Sequence, residues 1–280
     1  IQDDVVSEII AETQVALTDG EVAHLAMRHT QSVQAWEFFH QGLLEHIKYR
    51  PESFQAARRM YRKAKELDPD YYDAIVADAW AIWMHARKLT DASRVDALSE
   101  CRAQVDTLIA RWPSRPDAIH LDAVLLMMEG KHDEAEQRAD QARNAGRSYL
   151  WGYALVHIYG GSVEKATELF AKVINESLVL NNDALYCYAH CLTLKGDFEQ
   201  ATILAEEYRN RVPATVYGYT LLATAQGMAG QPAAAAETVR AMRKAHPQFT
   251  LEMFRQHEPY RDAQTLNHIV AHLKMAGIPD

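Results

Sequence analysis

The chain has little that would point to cross-links, a membrane or strands. Three cysteines among 280 residues cannot build a disulfide framework. Two of them, Cys187 and Cys191, lie four apart in a helical pattern, so reduced thiols in a cytoplasmic setting are expected. No uninterrupted apolar run approaches the roughly 20 residues a membrane-spanning helix needs, and no signal-peptide profile opens the sequence. Alternating β-branched runs are missing, which excludes a sheet-based fold. Positive charge is in deficit. A formal net charge of −9 argues against broad nucleic-acid or anionic-membrane binding. Neither a G-x-x-x-x-G-K-[ST] phosphate loop nor a G-x-S-x-G elbow occurs. Gly160-Gly161-Ser162 reads as a short turn with Ser162 as an N-cap.

The few glycines are placed with a period. Gly130, Gly161, Gly196 and Gly230 each precede an alanine by five residues, namely Ala135, Ala166, Ala201 and Ala235. The steps between them are 31, 35 and 34 residues, the period of helix–turn–helix repeat arrays. Ala123, Ala154, Ala189 and Ala223 stand twelve residues before those alanines. Small side chains are needed there because the contact residues set how closely paired helices approach. Glycine supplies the left-handed stop of the first helix. Phe170 and Val239 are larger residues able to fill the seam between repeats, and Pro213 and Pro247 end two second helices. No unit of this kind buries its apolar face alone, so neighbours must stack.

This pattern resembles the tetratricopeptide repeat family, most strongly over Pro116 to Pro247. Ala57, Tyr61, Ala64 and Pro69 match its second-helix pattern in an earlier repeat. Gly42 takes the small position of the preceding helix with a three-residue insertion around Tyr49 to Glu52. The repeat from Tyr71 to Pro113 carries an insertion around Arg87 to Leu98, and its second helix matches only loosely through Cys101, Val105 and Leu108. The resemblance implies an all-α, right-handed α-solenoid of about six helix pairs with terminal capping helices. The expected division is residues 1–32 as N-terminal capping or linker helices, 33–247 as repeats and 248–280 as a C-terminal capping segment. An amphipathic helix is expected over Gln2–Leu17, with Val5, Val6, Ile9, Ile10, Thr13 and Leu17 on one stripe, and a short one over Glu21–Met27.

The ends carry a second resemblance. Phe249 to Phe254, Pro259-Tyr-Arg-Asp262 and Ala276-Gly-Ile-Pro279 look like the closing segment of tetratricopeptide regions in bacterial class III adenylate or guanylate cyclases. Ile1 to Val6, with Leu17 onwards to Arg28, is similar to the join between a small α/β domain and the repeats there. Related tails occur in winged-helix transcription regulators. The first residue is Ile1 rather than Met, so an excised domain or processed product is expected, and any cyclase carboxylates belong to a domain outside this sequence.

Three clusters hold residue types that could carry chemistry. Cys187, His190 and Cys191 share a helix face but lack a fourth zinc ligand. His268 and His272 are four apart without the glutamate of an H-E-x-x-H motif. Arg58, Arg59, Arg62, Lys63 and Lys65 are offset by Glu52 and Glu66 on a helix whose carboxyl end favours cations. Each reads more simply as packing or solvated surface, so no catalytic residue, metal or cofactor is assigned. Thirteen histidines keep a helical-repeat enzyme as an alternative, to be recognised by a deep pocket with converging His, Asp or Glu side chains.

The favoured reading is a non-catalytic protein–protein interaction or regulatory module of a larger bacterial signalling protein. The parent is a class III nucleotide cyclase or, alternatively, a winged-helix transcription regulator. In the resembled family the first helix of each pair lines a concave groove. That register places Phe39, Leu43 and His46 in the groove, followed by Val76, Trp80 and Trp83, then His120, Val124 and Met127. Trp151, Leu155 and Ile158 follow, then Tyr186, His190 and Thr193. The Lys and Asn pairs of a chaperone-tail clamp are missing. The implied partner is an extended or helical apolar segment, with the parent's own missing domain as one source. Trp80 and Trp83 serve equally well as packing between repeats. Self-association through the Gln2–Leu17 stripe is a third role.

Overall fold

The computed structural model describes residues 30–87, 89, 93–145, 150–176 and 182–280. The helices expected at Gln2–Leu17 and Glu21–Met27 lie outside the described residues. Among the described residues there are fourteen helices and no strand. They follow one another as pairs: α1 (Val33–His46) with α2 (Pro51–Leu67), α3 (Tyr72–Ala86) with α4 (Ser93–Arg111), and α5 (Pro116–Met128) with α6 (His132–Ala145). Then come α7 (Leu150–Gly160) with α8 (Val163–Glu176), α9 (Asn182–Lys195) with α10 (Phe198–Arg211), and α11 (Val216–Met228) with α12 (Pro232–Ala245). Two further helices, α13 (Leu251–His257) and α14 (Ala263–Met275), close the chain.

The glycine period has the expected backbone cause. Gly130, Gly161, Gly196 and Gly230 have φ between 73° and 92°, a region that L side chains avoid. After each one the next amide reaches back five residues. Lys131 donates to the Leu126 carbonyl at 2.9 Å, Ser162 to His157 at 2.8 Å, Asp197 to Leu192 at 3.0 Å and Gln231 to Gln226 at 2.9 Å. This is the Schellman closure of a helix, and it sets the turn into the second helix of each pair. Helix starts are marked by side-chain caps at Ser32, Thr215, Thr250 and Asp262, and by Pro51, Pro116 and Pro232 in the first turn.

The chain forms two compact units, Ile1–Ala81 and Ile82–Asp280, with the division inside α3. In the first unit Ala35, Ala64, Tyr71 and Ala74 form one buried cluster, and Ala57, Tyr61 and Ala81 another. A Cβ on Gly42 would come within 2.4 Å of the fully buried Tyr61 ring, so the small residue of α1 is dictated by the aromatic of α2. Asp78, fully buried on α3, is held by Arg58 at 3.1 Å and Lys65 at 2.5 Å, both on α2.

In the second unit each first helix packs against its own second helix and the next first helix, the stacking of a solenoid. Ala123, Ala154, Ala189 and Ala223 are fully buried, as are Ala135, Ala166 and Ala201 of the second helices. Polar seams also join neighbours. Asp122 on α5 accepts from Arg102 of α4 at 2.5 Å and pairs with Arg138 of α6 at 3.0 Å. Buried His157 on α7 lies 3.3 Å from Glu136 and 3.6 Å from Asp140, both on α6. Helices α13 and α14 dock Phe249, Leu251, Phe254, Ile269, Val270 and Leu273 onto Ala223, Ala235, Val239 and Met242 of the last pair.

Candidate partner-binding face

The residues expected to line a groove do not share one environment. In the first unit Phe39, Leu43 and His46 are half-buried. The Phe39 ring lies 5.2 Å from Tyr71 and 6.0 Å from Tyr61. Leu43 packs on the Ala57–Tyr61 cluster, and His46 Nδ1 is 3.2 Å from the Tyr61 hydroxyl. Val76 and Trp80 are buried. In the second unit His120, Val124, Met127, Leu155, Ile158 and Thr193 are buried between helices. His120 and Val124 lie against Gly152 of α7, where a Cβ would be 3.9 Å from each. Thr193 donates its hydroxyl to the Ala189 carbonyl of its own helix at 2.8 Å.

Four of the expected residues do come together, around a group that sequence reasoning missed. Trp83 and Trp151 have ring centroids 5.7 Å apart. The Arg87 guanidinium, one turn beyond Trp83, sits 5.0 Å from the Trp83 ring and 4.3 Å from the Tyr217 ring. The Tyr217 hydroxyl donates to the Arg87 carbonyl at 2.7 Å. Tyr186 meets His190 at 5.8 Å, Tyr208 at 5.3 Å and Tyr217 at 6.3 Å. Tyr159 stands edge-on to His190 at 5.6 Å. These side chains come from the first helices α3, α7, α9 and α11, with Arg87 just past the end of α3 and Tyr208 from the second helix α10.

This face is covered by the chain itself. Between α13 and α14 residues 258–261 cross it, Glu258 being extended at φ −106° and ψ 96° and the Tyr260 amide closing a tight turn at Pro259 onto the Glu258 carbonyl at 2.9 Å. The buried Glu258 carboxylate accepts from the Tyr159 hydroxyl, and the Tyr260 hydroxyl meets His190 Nε2. The Arg261 amide donates to the Tyr159 carbonyl at 2.9 Å, and its guanidinium pairs with Asp133 at the start of α6 at 2.6 Å. His257 hydrogen-bonds the Leu89 backbone.

The electrostatics follow from burial around Arg87, with Arg94 close by. Burial pushes the Glu258 carboxyl above its usual range, opposed by the Arg87 charge and the Tyr159 hydrogen bond. Burial, reinforced by the Glu258 charge, raises Tyr159, Tyr186 and Tyr260 well above the ordinary phenol value, so all three are neutral donors. His190 is lowered to about 3 by burial and then by Arg87. His257 is lowered to about 4 by burial and then by Arg94 and Arg87. Both imidazoles are neutral at pH 7. Burial opposes the Arg87 charge, but the surrounding tyrosines and Glu258 outweigh it. The arrangement is a fixed cation in an aromatic, hydroxyl-lined seat, with the chemistry to receive a carboxylate and a neighbouring aromatic hydroxyl.

The other candidates take structural places. Cys187 donates weakly to the Trp151 carbonyl at 3.6 Å, and burial holds the Cys191 thiol up at about 12, so neither is a thiolate. His268 and His272 stack edge to face at 4.8 Å, with His272 against Gly227. Among the described residues no group of three His, Cys, Asp or Glu side chains is placed to hold a metal, and no helix is long and apolar enough to cross a membrane. A cleft of about 550 Å³ lies along α5 and α6, lined by Asp122, Leu126, Glu134, Gln137, Arg138 and Gln141.

The chain is similar in structure to YrrB, described as a TPR protein with an unusual peptide-binding site. The identity is 15% and the TM-score 0.41, covering 67% of this chain and 93% of that one. It is similar also to a tetratricopeptide repeat protein from Parabacteroides merdae, at 14% identity and a TM-score of 0.42, covering 88% of this chain and 99% of that one. No family model and no curated protein matches the sequence.

Proposed function

We propose that this chain is a non-catalytic protein–protein interaction module that regulates a larger bacterial signalling protein in the cytoplasm. The parent we favour is a class III nucleotide cyclase, on the likeness of Pro259-Tyr-Arg-Asp262 and its flanking segments to the tails of such proteins. The same likeness extends to winged-helix regulators, and reading the full-length gene decides between the two. The single observation behind the binding role is the non-helical stretch 258–261, seated across aromatic side chains of the first helices α7 and α9. A face that holds one such segment of chain has the donors to hold another. The ligand is a protein or peptide segment, with the parent's remaining domains as its first source. Neither nucleic acid nor a membrane surface fits a chain of net charge −9.

Substituting Trp151 with Ala tests the role. Trp151 is half-buried, whereas Trp83 is fully enclosed and its loss would cost about 3–5 kcal/mol of stability. Titration calorimetry against the parent's remaining domains should show binding by the wild type and about tenfold weaker binding by Trp151→Ala. Unchanged affinity in a variant with wild-type circular dichroism removes the aromatic face from the interaction.

A further inference from the structure

Residues 258–261, between α13 and α14, are held largely by contacts the two helices do not make. Helices α13 and α14 are fixed by the apolar cluster of Phe249, Leu251, Phe254, Ile269, Val270 and Leu273 on the last repeat pair. The stretch between them, with His257 at its edge, adds polar contacts to α6, α7, α9 and Leu89, while the Tyr260 ring packs on the Tyr159 ring at 4.8 Å and against the edge of that same apolar cluster.

The seat is also imperfectly satisfied. Among the described residues Glu258 Oε1, Arg87 Nε, His190 Nδ1 and His257 Nε2 are buried without a hydrogen-bond partner. A buried polar atom left unpaired costs free energy, and a half-satisfied network is where a fold gives way first. Tyr260 and Pro259 are only half-buried, so the stretch is accessible from its outer edge.

We propose that 258–261 is an internal occupant of a peptide site. Its external ligand is a segment carrying a carboxylate two residues before an aromatic hydroxyl, with a tight turn between them, and the site opens when this stretch lifts while α13 and α14 stay docked. The occupant defines the ligand. Glu258 accepts the Tyr159 hydroxyl within the field of the Arg87 charge, and Tyr260 meets neutral His190. Because the occupant is tethered, it competes at the high effective concentration of an intramolecular segment, and a free peptide is largely shut out until the tether's contacts are weakened. This rests on the reading of the face as a partner-binding surface and names the chemistry it accepts.

The test uses the full chain and a labelled peptide with the sequence of residues 256–262. The double variant Glu258→Ala, Tyr260→Ala empties the seat. Fluorescence anisotropy should show it binding the peptide about tenfold more tightly than the wild type does. Adding Tyr159→Phe, which removes one hydroxyl and no volume, should reverse most of that gain. Equal, weak binding by the wild type and the emptied variant overturns the proposal. Hydrogen exchange on the wild-type chain gives an answer independent of any variant's folding. The amides of Tyr260 and Arg261 should open well below the protection of α13 and α14, and equal protection overturns the proposal. If the emptied variant ignores this peptide but the chain still binds the parent's domains through Trp151, only the inference falls. If it takes the peptide while the parent's domains do not bind, the inference stands and the proposed function falls.

Discussion

Buried carboxylates occur in two settings in this molecule. Asp78 and Asp122 sit on first helices, and each is paired with two cations, Arg58 with Lys65 and Arg102 with Arg138. Glu258 is equally buried, yet it has one tyrosine hydroxyl as partner and one oxygen left over. The aspartates hold neighbouring helices together and have nothing left to offer a ligand. The glutamate is held by a network that another carboxylate could enter. Burial of charge alone therefore does not mark a site; incomplete pairing does, where the groups come from several elements and the occupant from a crossing strand.

Acid should separate the two settings most strongly. His190 and His257 beside the Glu258 cluster have pKa values lowered by burial to about 3 and about 4, from an ordinary 6.5. A group depressed in the folded state contributes stability above its unfolded pKa and loses it as pH falls towards the folded one. Stability should fall from pH 6.5 towards pH 4 by on the order of 1 kcal/mol per pH unit for each histidine. Each protonation would also place a second cation beside Arg87. The check is the urea midpoint as a function of pH, with histidine NMR shifts locating the titrations. A flat profile over that window would contradict the burial of both imidazoles.

Next in size is the loss of a fully paired carboxylate. Asp78→Ala leaves Arg58 and Lys65 facing a buried gap and should cost on the order of 3 kcal/mol. Urea unfolding at pH 7 measures it. A cost near zero would make the aspartate seams ornamental and erase the contrast with Glu258. The apolar seams give a smaller effect. Ala189→Leu inserts three carbons at a fully buried contact between helices and should cost about 1–3 kcal/mol. An unchanged midpoint would mean that size does not set this contact.

These residues also show what could be read from the sequence. The helix pairs were legible because a left-handed glycine and a close contact between helices each admit few residue types. Gly161, at φ 92°, and Ala189, fully buried, declare themselves by identity and period. Gly42 was readable for the same reason, since Tyr61 leaves no room for a Cβ there. The face was legible only in part. Trp83, Trp151, Tyr186 and His190 follow the first-helix register and meet around one centre. Arg87 lies in an inserted stretch outside any register, and Tyr159 stands one place beyond the expected Ile158. Glu258 and Tyr260 are brought to the face by a crossing of the chain, and local periodicity carries no signal for a contact 99 residues away.

The smallest effect is the most telling. Glu258→Gln keeps the shape and the acceptor for the Tyr159 hydroxyl and removes only the charge. Burial raises the Glu258 pKa above its ordinary value, so the folded protein holds this proton more tightly than the unfolded chain does. The stability gained from that proton is fully present below the unfolded pKa and is lost as pH rises through the folded one. Above the folded pKa the wild type therefore bears the cost of a buried carboxylate with one hydroxyl partner, set against its attraction to Arg87. Because burial is the largest influence on this group, glutamine should leave stability unchanged or raise it by up to about 1 kcal/mol at pH 7. The gap should close at low pH, where the wild type is also neutral. The same substitution at Asp122 should destabilise, since Arg102 and Arg138 would lose their counter-charge. Melting temperatures of both variants across pH 4 to 7.5 provide the measurement. A loss at Glu258→Gln as large as that at Asp122→Asn would show that Arg87 holds the glutamate as firmly as the arginines hold the aspartate, and that the stretch 258–261 is a fixed strut.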